Sequence, residues 1–146
     1  MMVDPRLFAL APRHITVSTV GVVPNMVHLA RDFPKISLAL SLHAPTQDLR
    51  KRIVPSAAAY KLDALMAAMQ EYENVTGQKV FIEYVMLEGV NDGEEQAAEL
   101  GQLLQGHRVT VNLIPWNPVL SPDVSFGAPS QERVRCRFCH VKLLFE

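Results

Sequence analysis

Cys136 and Cys139, followed directly by His140 in the stretch RVRCRFCHVKLLFE, are the two cysteines of this chain. C-x-x-C-H is the attachment signature of a c-type haem, and its first half also suits zinc or thiol redox chemistry. Each use needs more than this stretch supplies. A structural zinc takes four ligands where one C-x-x-C gives two, and His140 is too close to Cys139 for the usual spacing. A haem needs a second axial ligand, an enclosing apolar pocket and export to a compartment that attaches it. The spacing therefore reads as chance, and no catalytic or metal-ligating residue is assigned from it. A small metal- or haem-binding protein centred on it stays as a minor alternative.

The other residues with chemistry in them are polar groups inside four β-rich runs. These are HITVST (His14–Thr19), ISLALSLH (Ile36–His43), KVFIEYVML (Lys79–Leu87) and VTVNLIPW (Val109–Trp116). In the second run Ile36, Leu38, Leu40 and Leu42 point one way, and Ser37, Ala39, Ser41 and His43 the other. Thr16 and Ser18 share a face in the first run, Glu83 interrupts the third, and Thr110 and Asn112 share a face in the fourth. A strand sandwiched between two helical layers is apolar on both faces; these are bulky on one face and small or polar on the other.

The elements that must position these groups alternate with the strands. Met26, Leu29, Ala30 and Phe33 fall on one helical face behind Pro24, and Leu62, Leu65, Met66 and Met69 on another. In the third helical segment Asn91 or Asp92 is the expected N-cap within an Asn91-Asp92-Gly93 turn. Glu94 and Glu95 suit the positive end of the dipole, and Gly106 is a stop after Leu100, Leu103 and Leu104. Strand and helix in alternation mean βαβ units and a parallel sheet. Bulky faces turned outward onto helices and polar faces turned inward describe part of a barrel, whose site lies at the C-terminal strand ends. Ser18, Ser41, His43 and the loop after Trp116 would build it. Four strands do not close such a barrel, so its first strand is expected to keep an open edge.

Composition bounds the rest. The chain has 146 residues, 49% of them hydrophobic, and a formal net charge of −1, which argues against nucleic-acid binding by bulk electrostatics alone. Arg50, Lys51 and Arg52 read as a solvated face able to touch RNA phosphates. No apolar run approaches the roughly 18 residues of a membrane span. The start, MMVDPRLFALAPRH, has the pattern of neither a signal peptide nor a transit peptide. A cytoplasmic protein is the expectation, with a chloroplast or mitochondrial protein lacking its transit peptide as the alternative.

The segments ITVSTVGVVP (Ile15–Pro24), LALSLHAP (Leu38–Pro45), RKRIVPS (Arg50–Ser56), IEYVMLEGVND (Ile82–Asp92) and VNLIPWNP (Val111–Pro118) stand in this order in the chain. Together they resemble the RlmN-type radical S-adenosylmethionine adenine C2-methyltransferases, which act on 23S rRNA and tRNA. The resemblance implies an α/β fold, a partial (β/α)6 radical SAM barrel made of the last four β/α units. It implies S-adenosylmethionine as cofactor, with Ser18, Ser41, Leu42, His43 and Asn117 as its contacts, and rRNA and tRNA as partners. It also implies a [4Fe–4S] cluster held by C-x3-C-x2-C, a Gly-Glu-Pro segment, an RNA-facing domain and a methyl-carrying cysteine; none of these is found in this sequence. The expected organisation is a lead-in at 1–12, a partial barrel at 13–118, and a divergent tail at 119–146 that is disordered or an aberrant read-through. The expected function is that of a fragment of such a methyltransferase. A non-catalytic remnant or interaction module that binds S-adenosylmethionine or RNA weakly is the alternative.

Overall fold

Four strands, β1 (Thr16–Thr19), β2 (Ser37–Ser41), β3 (Val80–Met86) and β4 (Val109–Pro115), pair in parallel in the order in which the chain makes them. The computed structural model describes residues 2, 4, 6, 8–117 and 126–130. Between the strands run α1 (Val23–Asp32), α2 (Gln47–Ile53), α3 (Leu62–Thr76) and α4 (Glu94–Leu103). Each crossover leads to the adjacent strand, and right-handed crossovers put all the helices on one face of the sheet. One face is therefore the core and the other stays open, as in a stretch of barrel wall.

The register carries this asymmetry across all four strands. Val17 pairs with Leu38, and Thr19, Leu40, Ile82 and Val111 form one row. Leu38, Leu40, Leu42, Val80, Ile82, Tyr84 and Met86 form one cluster with Met26 and Ala30 of α1, Leu65, Met69 and Tyr72 of α3, and Leu100 of α4. Each fully buried aliphatic side chain there contributes about 1.5–3 kcal/mol. The Tyr72 hydroxyl donates to the Ile36 carbonyl at 2.8 Å, so α3 is tied to the start of β2 by a polar bond inside the apolar layer. Arg31 of α1 and Glu71 of α3 add an exposed ion pair at 2.6 Å, which is worth little beside the core.

Several expectations hold and several are corrected. The strands lie within the runs read from sequence, one to two residues shorter at most ends, and residues 12–14 form a 3-10 turn rather than the start of β1. Leu62, Leu65 and Met69 are buried on α3 as the periodicity requires. Phe33, expected on the buried face of α1, caps the end of that helix and is 52% exposed, because the chain there turns toward β2. Neither Asn91 nor Asp92 caps α4: Gly93 is its N-cap, and both polar side chains are buried elsewhere. Arg50 is not solvated. It lies on α2, an element the hydrophobic pattern does not announce, and is fully buried while Lys51 and Arg52 are exposed.

Among the described residues β1 pairs only with β2 and β4 only with β3, so both outer edges carry unpaired backbone groups. No helix among the described residues is long and apolar enough to cross a membrane. Of the tail at 119–146, only residues 126–130 are described, and Cys136, Cys139 and His140 lie outside the described residues.

Candidate functional site

The inner face of the sheet is built in rows by the same register. Ser18, Ala39, Phe81 and Thr110 form one row, and Ser41, Glu83 and Asn112 the next, nearer the C-terminal ends. Glu83 accepts a hydrogen bond from Asn112 Nδ2 at 2.8 Å, which gives the inward carboxylate a partner on the neighbouring strand. His43 follows two residues after Ser41 and stands beside Val85 at the mouth of this face.

The sequence-predicted contacts take different places. Ser18 is exposed on β1, and the next residue, Thr19, accepts the Gly21 and Val22 amides on its Oγ1 at 3.1 and 3.4 Å, shaping the turn into α1. Ser41 ends β2 and is half-buried. The Leu42 side chain belongs to the core, and its amide donates to the Glu83 carbonyl at 3.1 Å, so Leu42 fixes its neighbours' position. Asn117 is exposed just beyond Trp116, whose amide donates to the Met86 carbonyl at 3.0 Å and extends the pairing past β4. Ser18 and Ser41 are on neighbouring strands but two residues out of row, since Ser18 pairs with Ala39, a spacing of about 8 Å; Asn117 is two strands from Ser41 and follows Asn112, which shares the row of Ser41, further along the chain. The structure thus brings Ser18, Ser41 and His43 to one face and places Asn117 at the same end of the sheet. Such a spread suits an elongated polar ligand laid across strand ends, and does not suit a point ligand.

His43 carries the clearest chemistry. Its backbone is left-handed, with φ 60, an uncommon conformation for a side chain of this size. Ring Nδ1 lies 3.1 Å from the Val85 amide. An amide N–H can only donate, so Nδ1 is an acceptor and the ring proton sits on Nε2. Burial, the main cause, and the nearby Arg50 charge both push the imidazole below its ordinary value of 6.5, with Glu83 acting the other way. The result is a neutral ring offering one N–H.

This has a consequence for stability. A histidine whose folded value is depressed binds its proton more readily in the unfolded chain, so its contribution is present above about pH 6.5 and is lost as the pH falls. His43→Asn keeps a side chain suited to a left-handed backbone and able to accept from Val85, but it cannot titrate. The unfolding midpoint of the unaltered chain is expected to drop more steeply below about pH 6.5 than that of His43→Asn. Parallel profiles in a pH series of thermal melts would remove the argument.

Two residues that the sequence reading did not assign to the site support it. Arg50 is fully buried, and its Nε donates to the Leu42 carbonyl at 3.1 Å while Nη2 reaches the carbonyls of Val20 at 2.6 Å and Ser41 at 3.4 Å. One guanidinium thereby ties the C-terminal ends of β1 and β2 together. Burial lowers its proton affinity, yet a guanidinium stays charged in a protein. No sequence signal marks its place, since α2 is short and weakly patterned and Arg50 stands beside two exposed basic residues. Asn91 is also fully buried and donates to the His43 carbonyl at 2.8 Å; no sequence signal marks that contact.

No protein-family model matches the chain. Among curated proteins, it is 47% identical over 131 residues to the probable dual-specificity RNA methyltransferase RlmN of Symbiobacterium thermophilum, an alignment covering 90% of this chain and 35% of that protein. It is 40% identical over 146 residues to the ribosomal RNA large subunit methyltransferase Cfr of Shouchella clausii, covering 97% of this chain and 42% of that one. Among solved structures, a radical SAM methyltransferase from Sphaerobacter thermophilus matches with a TM-score of 0.86 at 41% identity. That match covers 99% of this chain and 40% of the solved one. The chain thus spans 35 to 42% of the length of these two curated relatives.

Proposed function

We propose, from the premise that this chain is a homologue of the RlmN and Cfr RNA methyltransferases over part of their length, that it serves radical S-adenosylmethionine-dependent RNA methylation. Its own contribution is the cofactor-holding wall of the barrel. The observation that carries this is the open polar face that Ser18 and Ser41 share, with a tautomer-fixed His43 at its C-terminal end. The two hydroxyls can donate and accept, the imidazole Nε2–H donates, and the Asn117 amide does both, which matches the amino-acid, ribose and adenine groups of S-adenosylmethionine. The bound cofactor would supply the methyl group. What these residues do is orient it against the strand ends.

The residues present do not fit a [4Fe–4S] cluster. The sequence holds two cysteines, while the cluster motif of the resembling family needs three, and no step through a cluster is derived. The described residues hold no group of three His, Cys, Asp or Glu side chains arranged for a metal ion. A second reading beside the first is a module that binds S-adenosylmethionine or RNA weakly without itself running the radical chemistry. By the RlmN resemblance the substrate atom is adenine C2, the partners are 23S rRNA and tRNA, and the location is the cytoplasm.

Anaerobic titration of the chain with S-adenosylmethionine in a calorimeter tests this reading. Saturable one-to-one binding is expected, weakened about two- to tenfold by Ser41→Ala, the worth of one hydrogen bond. Heat that does not saturate would sink it. Repeating the titration after addition of iron and sulfide separates the two readings: cluster absorbance with cleavage of the cofactor overturns the binding-module reading.

A further inference from the structure

Asn91 has no exposed surface, and both ends of its amide are used on backbone groups. Nδ2 donates to the carbonyls of His43 at 2.8 Å and Val85 at 2.7 Å, and Oδ1 accepts the Leu87 amide at 2.6 Å. Its own carbonyl accepts the Tyr84 hydroxyl at 2.9 Å. A role as helix cap does not account for this, because Gly93 caps α4. The bonds instead join the turn after β2 to the turn after β3.

The need for such a join lies in His43. Where β2 ends, the left-handed backbone of His43 turns its carbonyl out of the ladder, at a cost of about 1–3 kcal/mol for the backbone conformation alone. A carbonyl buried without a donor would add a further penalty. Asn91 supplies that donor. The same amide also takes the Val85 carbonyl, and the Val85 N–H holds the His43 ring. Val85 is thus held at its carbonyl by Asn91 and holds the imidazole with its N–H. The backbone and the ring of His43 are set by one connected group of bonds, with Nε2–H left as the donor the ring can offer.

We infer that Asn91 is a positioning residue for His43: it holds the left-handed turn and, through Val85, the ring orientation that presents Nε2–H at the strand ends. The inference rests on the reading of His43 as a cofactor contact only for its functional consequence; the clamp itself is a statement about this chain. Asn91→Asp tests it with almost no change of shape. An ionised carboxylate keeps the acceptor for Leu87 and loses both donors, facing the His43 and Val85 carbonyls with like partial charge.

Nitrogen NMR of the ring in the full chain reads the outcome. The unaltered chain should show His43 Nδ1 as a bare acceptor and Nε2 protonated, with slow exchange of the Asn91 side-chain amide. In Asn91→Asp the two ring nitrogens should move toward averaged positions, and S-adenosylmethionine binding should weaken at least about tenfold, the effect of losing about 1.4 kcal/mol. A folded Asn91→Asp with the tautomer unchanged overturns the inference. Should that variant not fold, the unaltered chain still decides, because an Nδ1–H tautomer or rapid exchange of the Asn91 amide overturns it equally. Failure of the cofactor reading looks different: the clamp signals persist while the unaltered chain binds no S-adenosylmethionine.

Discussion

Gly21→Ala is expected to destabilise the chain by about 2–6 kcal/mol, a large share of the roughly 5–15 kcal/mol that holds a typical domain together. Two separate costs meet at this position. Gly21 has φ +97, where an alanine is strained by about 1–3 kcal/mol. A Cβ there would also stand 2.8 Å from Leu65 Cδ2 and 2.9 Å from Cδ1. Leu65 is a fully buried core residue of α3, and overpacking against such a side chain costs about 1–3 kcal/mol.

Gly77 provides the control. It also has positive φ, +67, at the end of α3, but nothing lies within 4 Å of its would-be Cβ. Gly77→Ala should therefore carry the backbone cost alone, about 1–2 kcal/mol. Urea unfolding of the two variants measures the difference, and equal losses would show that Leu65 yields without cost. The Gly21→Ala, Leu65→Ala double variant should lose less than the sum of its parts, since the truncated side chain no longer meets the new methyl.

The second large effect is expected at Arg50. Arg50→Met keeps the volume and removes the fork, leaving the carbonyls of Val20, Ser41 and Leu42 short of a donor. The abandoned Leu42 acceptor is buried and costs about 1–3 kcal/mol, the part-buried Val20 and Ser41 carbonyls less, offset by relief of the burial of a charge, for which no carboxylate is hydrogen-bonded to the guanidinium among the described residues. A net loss of about 2–4 kcal/mol follows. Arg50→Lys should recover part of it, because an ammonium reaches one or two of the carbonyls but lacks the planar fork. Lys51→Met and Arg52→Met, exposed on the same helix, should stay within about 0.5 kcal/mol of the unaltered chain. If the three methionine variants melt together, the guanidinium does not order these strand ends.

The basic run shows where reading from sequence stops. Arg50, Lys51 and Arg52 are chemically alike and adjacent, and a basic triplet ordinarily faces water. One of them is buried because α2 turns that face toward the ends of β1 and β2, and α2 is short and weakly patterned. Asn91 is a comparable case. In an Asn-Asp-Gly turn ahead of two glutamates it reads as a cap, yet the free carbonyl it answers belongs to a residue 48 positions earlier.

The alternation of strand and helix, the parallel sheet, and the inward facing of Ser18 and Ser41 are legible in the sequence alone. All of these follow from periods of 2 and 3.6 residues within a single element. Only the tertiary structure decided that His43 is left-handed and bears its proton on Nε2, that Arg50 is interior, and that Asn91 braces the site. Those features answer backbone groups left unpaired where parallel strands end. Which distant side chain reaches such a group depends on how separate elements pack, so no local pattern in the chain records it.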